Sequence, residues 1–351
     1  MEYVKLEEIC TIVSGGTPSR SKSDYWNNGN IPWIKIKDMK SKYIDSAEEF
    51  ITEEGLNNSS TKMLKSDTIL YSIFATLGEV GILKIDACTN QAIAGLSLKE
   101  DSNILKEYLY YYLKSKKKDV NNLGRGVAQN NINLSLLRKF RIPVIPLHQQ
   151  KKIIEVLDNV SSTINNYERE LALLDELVKA RFVEMFGEIE DCDKWESKIW
   201  NEVVTIKNGR DYKKVLVSDG GYPVVGTGGE IARASKYLCP ENTIVVGRKG
   251  SINNPMLMKE KFWNVDTAFG VIPNSDYLHY QYFYCFCKFY NFMKLNKATT
   301  LPSTTKADLL KIRINIPPLE LQNQFASFVQ EIDKSRLLNN HSLLLLKSIT
   351  F

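Results

Sequence analysis

The chain has 351 residues, 43% hydrophobic and 25% charged. That is enough for two domains with a core each, and it excludes a disordered or fibrous class. The formal net charge of +5 suits a polyanionic partner, but many proteins that bind none share it. No stretch approaches the ~18 apolar residues of a membrane span, and the N-terminus lacks the pattern of a secretory leader. A cytoplasmic location without a membrane partner is therefore expected. The cysteines Cys10, Cys88, Cys192, Cys239, Cys285 and Cys287 are scattered and form neither a disulfide framework nor a zinc signature. With only His148, His279 and His341 beside them, no metal cluster is expected.

Taken in chain order, residues 31–36 and 68–74 have the β-branched and aromatic composition of short strands flanked by turn residues. From 147 to 186 there is neither proline nor glycine, so one helix of roughly 60 Å is expected at ~1.5 Å per residue. Its apolar residues Leu157, Val160, Ile164, Tyr167, Leu171, Leu174 and Val178 alternate in steps of three and four, the seam of a coiled coil. Gly187 closes that helix. Residues 243–247 and 269–272 again look like strands. A second helix follows Pro318 and carries Val329, Ile332, Leu343 and Leu346 on its seam. Arg336 and Asn339 occupy the middle positions. An Asn there can fix alignment; otherwise the helix rotates there or the two helices pack out of matching register.

The chain is written twice. Shifted by 172 residues, 107–152 falls on 279–324 without a gap, so that Tyr108, Tyr110 and Tyr112 meet Tyr280, Tyr282 and Tyr284. In the same register Pro146, Leu147 and Gln150 meet Pro318, Leu319 and Gln322. With small insertions, 11–15 corresponds to 205–209, 31–34 to 221–224, and 67–71 to 242–246. The fold class is α+β with a partly irregular sheet in each copy. The expected domains are 1–146, a helix over 147–187, 188–318, and a helix over 319–351.

These residues resemble the specificity subunit of type I restriction-modification systems. The likeness lies in Ser14-Gly15-Gly16-Thr17-Pro18, Phe74-Ala75-Thr76-Leu77-Gly78 and Thr89-Asn90-Gln91-Ala92-Ile93 of the first copy. In the second it lies in Gly247-Arg248-Lys249-Gly250-Ser251 and 263–269, and in both copies the helix starts at 142–150 and 314–322 are similar. The resemblance implies two tandem α/β target-recognition domains and two long helices packed as an antiparallel coiled coil with pseudo-two-fold symmetry. It implies that each domain reads half of a split double-stranded DNA target and that the helices set the spacer. It further implies two methyltransferase subunits as partners, with two restriction subunits possible in a system that also cleaves. The second copy departs from the first in lacking the ending Glu184-Met185-Phe186-Gly187.

No catalytic residue and no cofactor site is expected in this chain. Asn254-Pro255-Met256 and Gly226-Thr227-Gly228-Gly229 match neither an adenine pocket nor a cofactor loop, and there is no phosphate loop for ATP. S-adenosylmethionine, ATP and Mg are expected in partner subunits. A nuclease can be built on Glu196, Ser197 and Lys198 with Asp191 or Asp193 as metal ligand, but charged residues are ordinary at a domain junction. An adaptor whose two domains bind proteins is the alternative from another class, and a methylation-only system is a narrower variant of the first reading.

DNA readers need cations for phosphates and forked or amide side chains for base edges. Residues 121–131 supply both through Arg125, Gln129, Asn130 and Asn131. The matching segment, 294–305, offers Lys297, Thr299, Thr300, Ser303 and Thr304. Further candidates are Thr17, Arg20, Lys22, Lys35, Lys37 and Thr76 in the first copy, and Arg210, Lys213, Lys214, Arg233, Arg248 and Lys249 in the second. Each is equally well read alone as a solvated surface group. The run 114–118 reads as a solvated helix end, Tyr108, Tyr110 and Tyr112 as core, and Asn90-Gln91 and Asp266-Thr267 as possible braces.

Overall fold

A computed structural model describes residues 2–124, 131–189, 194–298 and 300–350. The chain divides into two compact units, 1–166 with 343–351, and 167–342. Among the described residues no helix is long and apolar enough to cross a membrane.

In the first unit Glu2–Lys5 pairs antiparallel with Arg141–Val144. A five-stranded sheet has the order Cys10–Ser14, Ile93–Leu98, Ile69–Ser72, Val80–Leu83, Tyr43–Ile44. A three-stranded sheet has the order Glu49–Ile51, Ile31–Ile34, Cys88–Thr89. Every residue of Ile69–Ser72 and Val80–Leu83 is buried, which is how strands read when both faces of their sheet are covered. Leu109 and Leu113 of the helix Lys106–Ser115 and Ile69, Ile82 and Leu96 of the sheet share one core, and Ile154 and Leu157 of the long helix pack against it.

The second unit repeats this plan. Ser197–Ile199 pairs with Arg313–Asn315. One sheet runs Val204–Asn208, Ala268–Pro273, Thr243–Gly247, Met256–Met258, and the other Leu216–Val217, Gly229–Ala234, Tyr222–Gly226, Trp263–Asn264. Its core is aromatic. Trp200 is fully buried against Phe283 and Phe292, while Phe182 stacks on Tyr282 with centroids 5.4 Å apart. Asp67 and Asn242, which the sequence had paired, both take left-handed φ, 70° and 59°, just ahead of equivalent strands. That region is steeply unfavourable for most residues and mild for Asp and Asn.

The expected strand over 31–36 stops at Ile34, because Ile36–Asp38 forms a 3-10 turn in which the Asp38 carboxylate accepts the Lys35 N–H at 2.7 Å. The gapless 172-residue register is also corrected. Helix Lys106–Ser115 corresponds to Tyr280–Phe289, an offset of 174 (280 less 106). The Tyr108 hydroxyl donates to the Pro143 carbonyl and the Tyr282 hydroxyl to that of Asn315, so Tyr108 matches Tyr282 and not Tyr280. The connection to the next short helix, Leu134–Arg138 or Lys306–Leu309, is two residues longer in the first copy, and a gapless comparison absorbs that difference wrongly. Tyr108 and Tyr110 are core, as expected, whereas Tyr112 is half-buried with its hydroxyl donating to the Arg141 carbonyl, and Tyr111 is the third tyrosine of the core.

Leu147–Phe186 is a single helix, and Gly187 follows it at φ 90°. Leu157, Val160, Ile164, Tyr167, Leu171 and Leu174 are half-buried and Val178 is buried, whereas Val156, Leu173 and Leu177 between them are exposed. On the C-terminal helix Leu319–Thr350, Val329 and Leu343 are buried and Ile332, Arg336, Asn339 and Leu346 half-buried. Within the second unit the two helices run antiparallel. Phe325 meets Phe182 and Phe186, Arg336 donates to Asp175 at 2.7 Å, and Asn339 donates to Glu170 at 3.1 Å. Arg336 and Asn339 thus stay on the inward stripe and are answered there by carboxylates.

Candidate nucleic-acid interface

In each unit four loops meet at one edge of the sheets, and the same backbone hydrogen bonds hold them. In the first unit the Gly16 N–H donates to the Thr89 carbonyl and the Ile73 N–H to that of Ala92. The Ile132 N–H donates to the Ile73 carbonyl, and Phe74 bridges to Asn131. In the second unit Arg210 donates to the Asn264 carbonyl, Arg248 to that of Thr267, and Thr304 to that of Arg248, while Lys249 bridges to Ser303. A Cβ on Gly15 would fall 2.1 Å from the Asn90 carbonyl oxygen, and one on Gly209 1.8 Å from that of Val265. Only glycine lets these chains approach so closely.

Trp33 and Trp263 brace this edge from opposite strands. Trp33 pairs with Cys88 across two parallel strands, and Val224 pairs with Trp263 at the equivalent place. The large and small side chains have therefore exchanged strands between the copies. Both indoles still donate to equivalent carbonyls, Trp33 to Gly16 at 3.0 Å and Trp263 to Arg210 at 2.9 Å.

The first-unit candidates are mostly committed to protein partners. The Arg20 guanidinium lies 3.6 Å over the Trp26 ring and pairs with Glu49, which also takes Lys35. Lys37 pairs with Glu48, and hydrogen bonding between them raises the lysine pKa and lowers that of the carboxyl. The Lys22 ammonium is held charged by its hydrogen bond to the Tyr25 hydroxyl. Thr17 bonds to Gln91, and Thr76 is exposed on a turn where Ala75 takes φ 61°. Asn131 is half-buried. Arg125, Gln129, Asn130 and Thr299 lie outside the described residues, as do Asp191, Cys192 and Asp193.

In the second unit Arg210, Lys213, Lys214, Arg248 and Lys249 are exposed, and none forms an ion pair among the described residues. Arg233 pairs with Glu230, and Lys297 with Asp308, whose carboxyl is held low by the Lys297 hydrogen bond. Thr300 is exposed and Ser303 half-buried. Thr304 is buried and its hydroxyl donates to the Gly247 carbonyl at 2.8 Å, so that side chain braces the edge from within. Of the two expected braces, Asn90 accepts the Ala92 N–H, but Asp266 is exposed. The brace of the second copy is Asn264, fully buried, with its amide donating to Lys207 and Ala268 carbonyls. Its place beside Trp263 in a strand-like stretch was the available signal. The 114–118 run is not all solvated: Lys118 is exposed, but Lys114 is half-buried in a cleft.

A family model described as the type I restriction modification DNA specificity domain matches residues 1–175 and 192–347, and the chain belongs to this family. The two matched stretches follow the two copies. The EcoR124I/EcoR124II specificity subunit of Escherichia coli is 34% identical over 172 residues, 47% of this chain and 42% of that protein. The MjaIX specificity subunit of Methanocaldococcus jannaschii is 24% identical over 98% of this chain and 89% of its own. A crystal structure of the type I restriction-modification S subunit from M. genitalium shares the fold, with a TM-score of 0.60 at 16% identity over 99% of this chain and 93% of that one.

Proposed function

We propose that this chain selects a bipartite DNA sequence, one half-site per domain, and directs methylation and restriction carried out by partner chains. The observation that carries the proposal is the doubled loop edge, in which backbone bonds and close-approach glycines repeat while the side chains differ. A shared scaffold with unlike decoration is what two readers of unlike half-sites need. The exposed cations around Arg210, Lys213 and Lys249 suit phosphates, which position a reader without specifying sequence.

In this proposal the long helices form an antiparallel coiled coil that relates the two readers by a pseudo-two-fold axis and holds the half-sites about one DNA turn apart. Exposed Val156, Leu173, Leu177, Leu337 and Leu338 suit docking of two methyltransferase subunits, one for each half of that symmetry. S-adenosylmethionine, ATP and Mg would be held by the partner subunits, with restriction subunits completing a cleaving complex. The test is methylome sequencing of a host lacking this chain. One gapped adenine-methylation motif should vanish while the others persist, and an unchanged methylome overturns the proposal.

A further inference from the structure

The first unit carries a segment that the second lacks, and it ends at the loop edge. Trp33 pairs with Glu49 and Cys88 as Val224 pairs with Ala232 and Trp263, so Ile51 and Ala234 are equivalent. The bridges of Leu64 to Ala87 and of Cys239 to Phe262 are equivalent by the same register. From Ile51 to Leu64 the chain takes 13 steps and from Ala234 to Cys239 it takes 5, which leaves eight extra residues in the first copy. They are firmly held. They include the helix Glu53–Asn57, capped by Thr52, whose hydroxyl accepts the Gly55 N–H at 3.1 Å and donates to the Asp24 carbonyl at 2.8 Å. Leu56 packs on the cluster of Trp33, Ile51 and Cys88. Beyond the helix the buried Thr61 hydroxyl donates to the Thr89 carbonyl at 3.0 Å, and that carbonyl also accepts the Gly16 N–H. A Cβ on Gly16 would fall 2.3 Å from the Ser60 Oγ, so this segment lies directly on the edge.

Asn57, Ser60 and Lys62 of this segment are exposed. Lys62 forms no ion pair among the described residues, unlike Arg20, Lys35 and Lys37 of the same unit. The neighbouring Asn58 is committed to the Glu54 carbonyl at 3.0 Å. The acidic residues Glu53 and Glu54 occupy the first turn of the helix, where Glu54 helps to hold Lys22 charged. In the second copy Tyr237 stands at the place of Lys62, edge-on to Tyr222, so the two units differ here. We propose, resting on the DNA reading proposed above, that this segment is a reader of the first unit's half-site. Lys62 takes a backbone phosphate, and the Asn57 carboxamide reads a base edge. A lysine neutralises a phosphate as a point charge, and a carboxamide carries the paired donor and acceptor that match adenine in the major groove. Because the segment is anchored before DNA arrives, little order is lost on binding.

The test uses the full chain and a duplex carrying the gapped motif found by methylome sequencing, with binding followed by fluorescence anisotropy over a salt series. Lys62→Ala should weaken binding whatever the sequence and lower the log–log salt slope by about 1, and Lys62→Arg should restore the parent slope. Asn57→Ala should relax selectivity by roughly tenfold at one base pair, in one half of the motif alone. Both variants should melt with the parent, since both side chains are exposed. An unchanged slope in Lys62→Ala overturns the proposal, as does selectivity that Asn57→Ala leaves intact in both halves. Either result, with the parent chain still binding the duplex, leaves the DNA-reading proposal standing. Failure of the parent chain to bind that duplex overturns the DNA reading itself, and this assignment with it.

Discussion

Gln150 and Gln322 make the same three hydrogen bonds in the two copies. Each is fully buried at the start of a long helix. The Gln150 amide donates to the Asn103 and Ile145 carbonyls at 2.7 and 2.8 Å and accepts the Leu105 N–H at 2.8 Å. Gln322 donates to Tyr277 and Pro317 at 2.9 and 2.8 Å and accepts the His279 N–H at 2.8 Å. One side chain thus ties a long helix to the first turn of the helix ahead of it. Replacing either Gln by Leu keeps the volume but strands buried backbone groups, so each should cost about 2–4 kcal/mol. Urea unfolding of the single variants measures it. A loss within error of zero at both positions would show that water or a shifted chain can replace the amide.

The exchange of Trp33 and Trp263 between strands predicts compensation. Trp33→Val alone should destabilise by about 3 kcal/mol through a cavity and a lost N–H donor. Adding Cys88→Trp, which copies the Val224–Trp263 pair, should recover more than about 1 kcal/mol of that. A double-mutant cycle in denaturant reads the coupling, and additive losses would mean the two copies pack this site differently.

Asp175 holds both Arg336 and Lys288, at 2.7 and 2.9 Å. Its side chain is 56% exposed, so solvent screening limits the effect. Asp175→Ala should cost about 1 kcal/mol, more than an ordinary surface pair, because the half-buried Arg336 loses its partner on the facing helix. Thermal melts in low and high salt check this, and the difference should shrink as salt rises.

The second-unit cations that form no ion pair among the described residues make a selective prediction for DNA. Lys213→Ala with Lys214→Ala should weaken binding to a gapped duplex across sequences and reduce the log–log salt slope by about 1 to 2. Lys37→Ala, which breaks an existing pair with Glu48, should change the slope less. Fluorescence anisotropy over a salt series separates the two. Equal slopes for all three proteins would remove Lys213 and Lys214 from the interface.

Burial pushes the Cys10, Cys239 and Cys285 thiols up to about 12 from an ordinary value of 9.0. A group whose folded pKa lies above its unfolded value keeps its proton in the folded state after the unfolded chain has lost it. Its contribution is full below pH 9.0 and declines as pH rises toward about 12. Stability should therefore fall across that window. At pH 8, in a Cys192→Ser background, these thiols should react with a disulfide reagent only as fast as the chain opens. Rapid stoichiometric labelling of the folded protein would contradict their burial.

Much of this protein is local and therefore legible in the sequence. Forty residues without a breaker specify a helix, and the observed bounds Leu147–Phe186 agree with it. The paired Asp67 and Asn242 keep one backbone turn because so few residues tolerate it. Gly15 recurs as Gly209 in the sequence, and folding shows why, since a Cβ at either would collide with a carbonyl oxygen. Tertiary structure alone decided what depends on partners distant in sequence. The Tyr108–Tyr282 match needed the carbonyls that their hydroxyls reach, since a gapless comparison cannot sense a two-residue difference in a loop. Whether Arg336 and Asn339 stay inward was settled by Asp175 and Glu170 on another helix. Which cations remain available to an anion was settled by where the carboxylates fall: Glu48 and Glu49 claim Arg20, Lys35 and Lys37 of the first edge, while none reaches Lys213 or Lys249 among the described residues. Propensity, turn geometry and repetition act along the chain, whereas charge pairing and burial act through space, and only folding sets those distances.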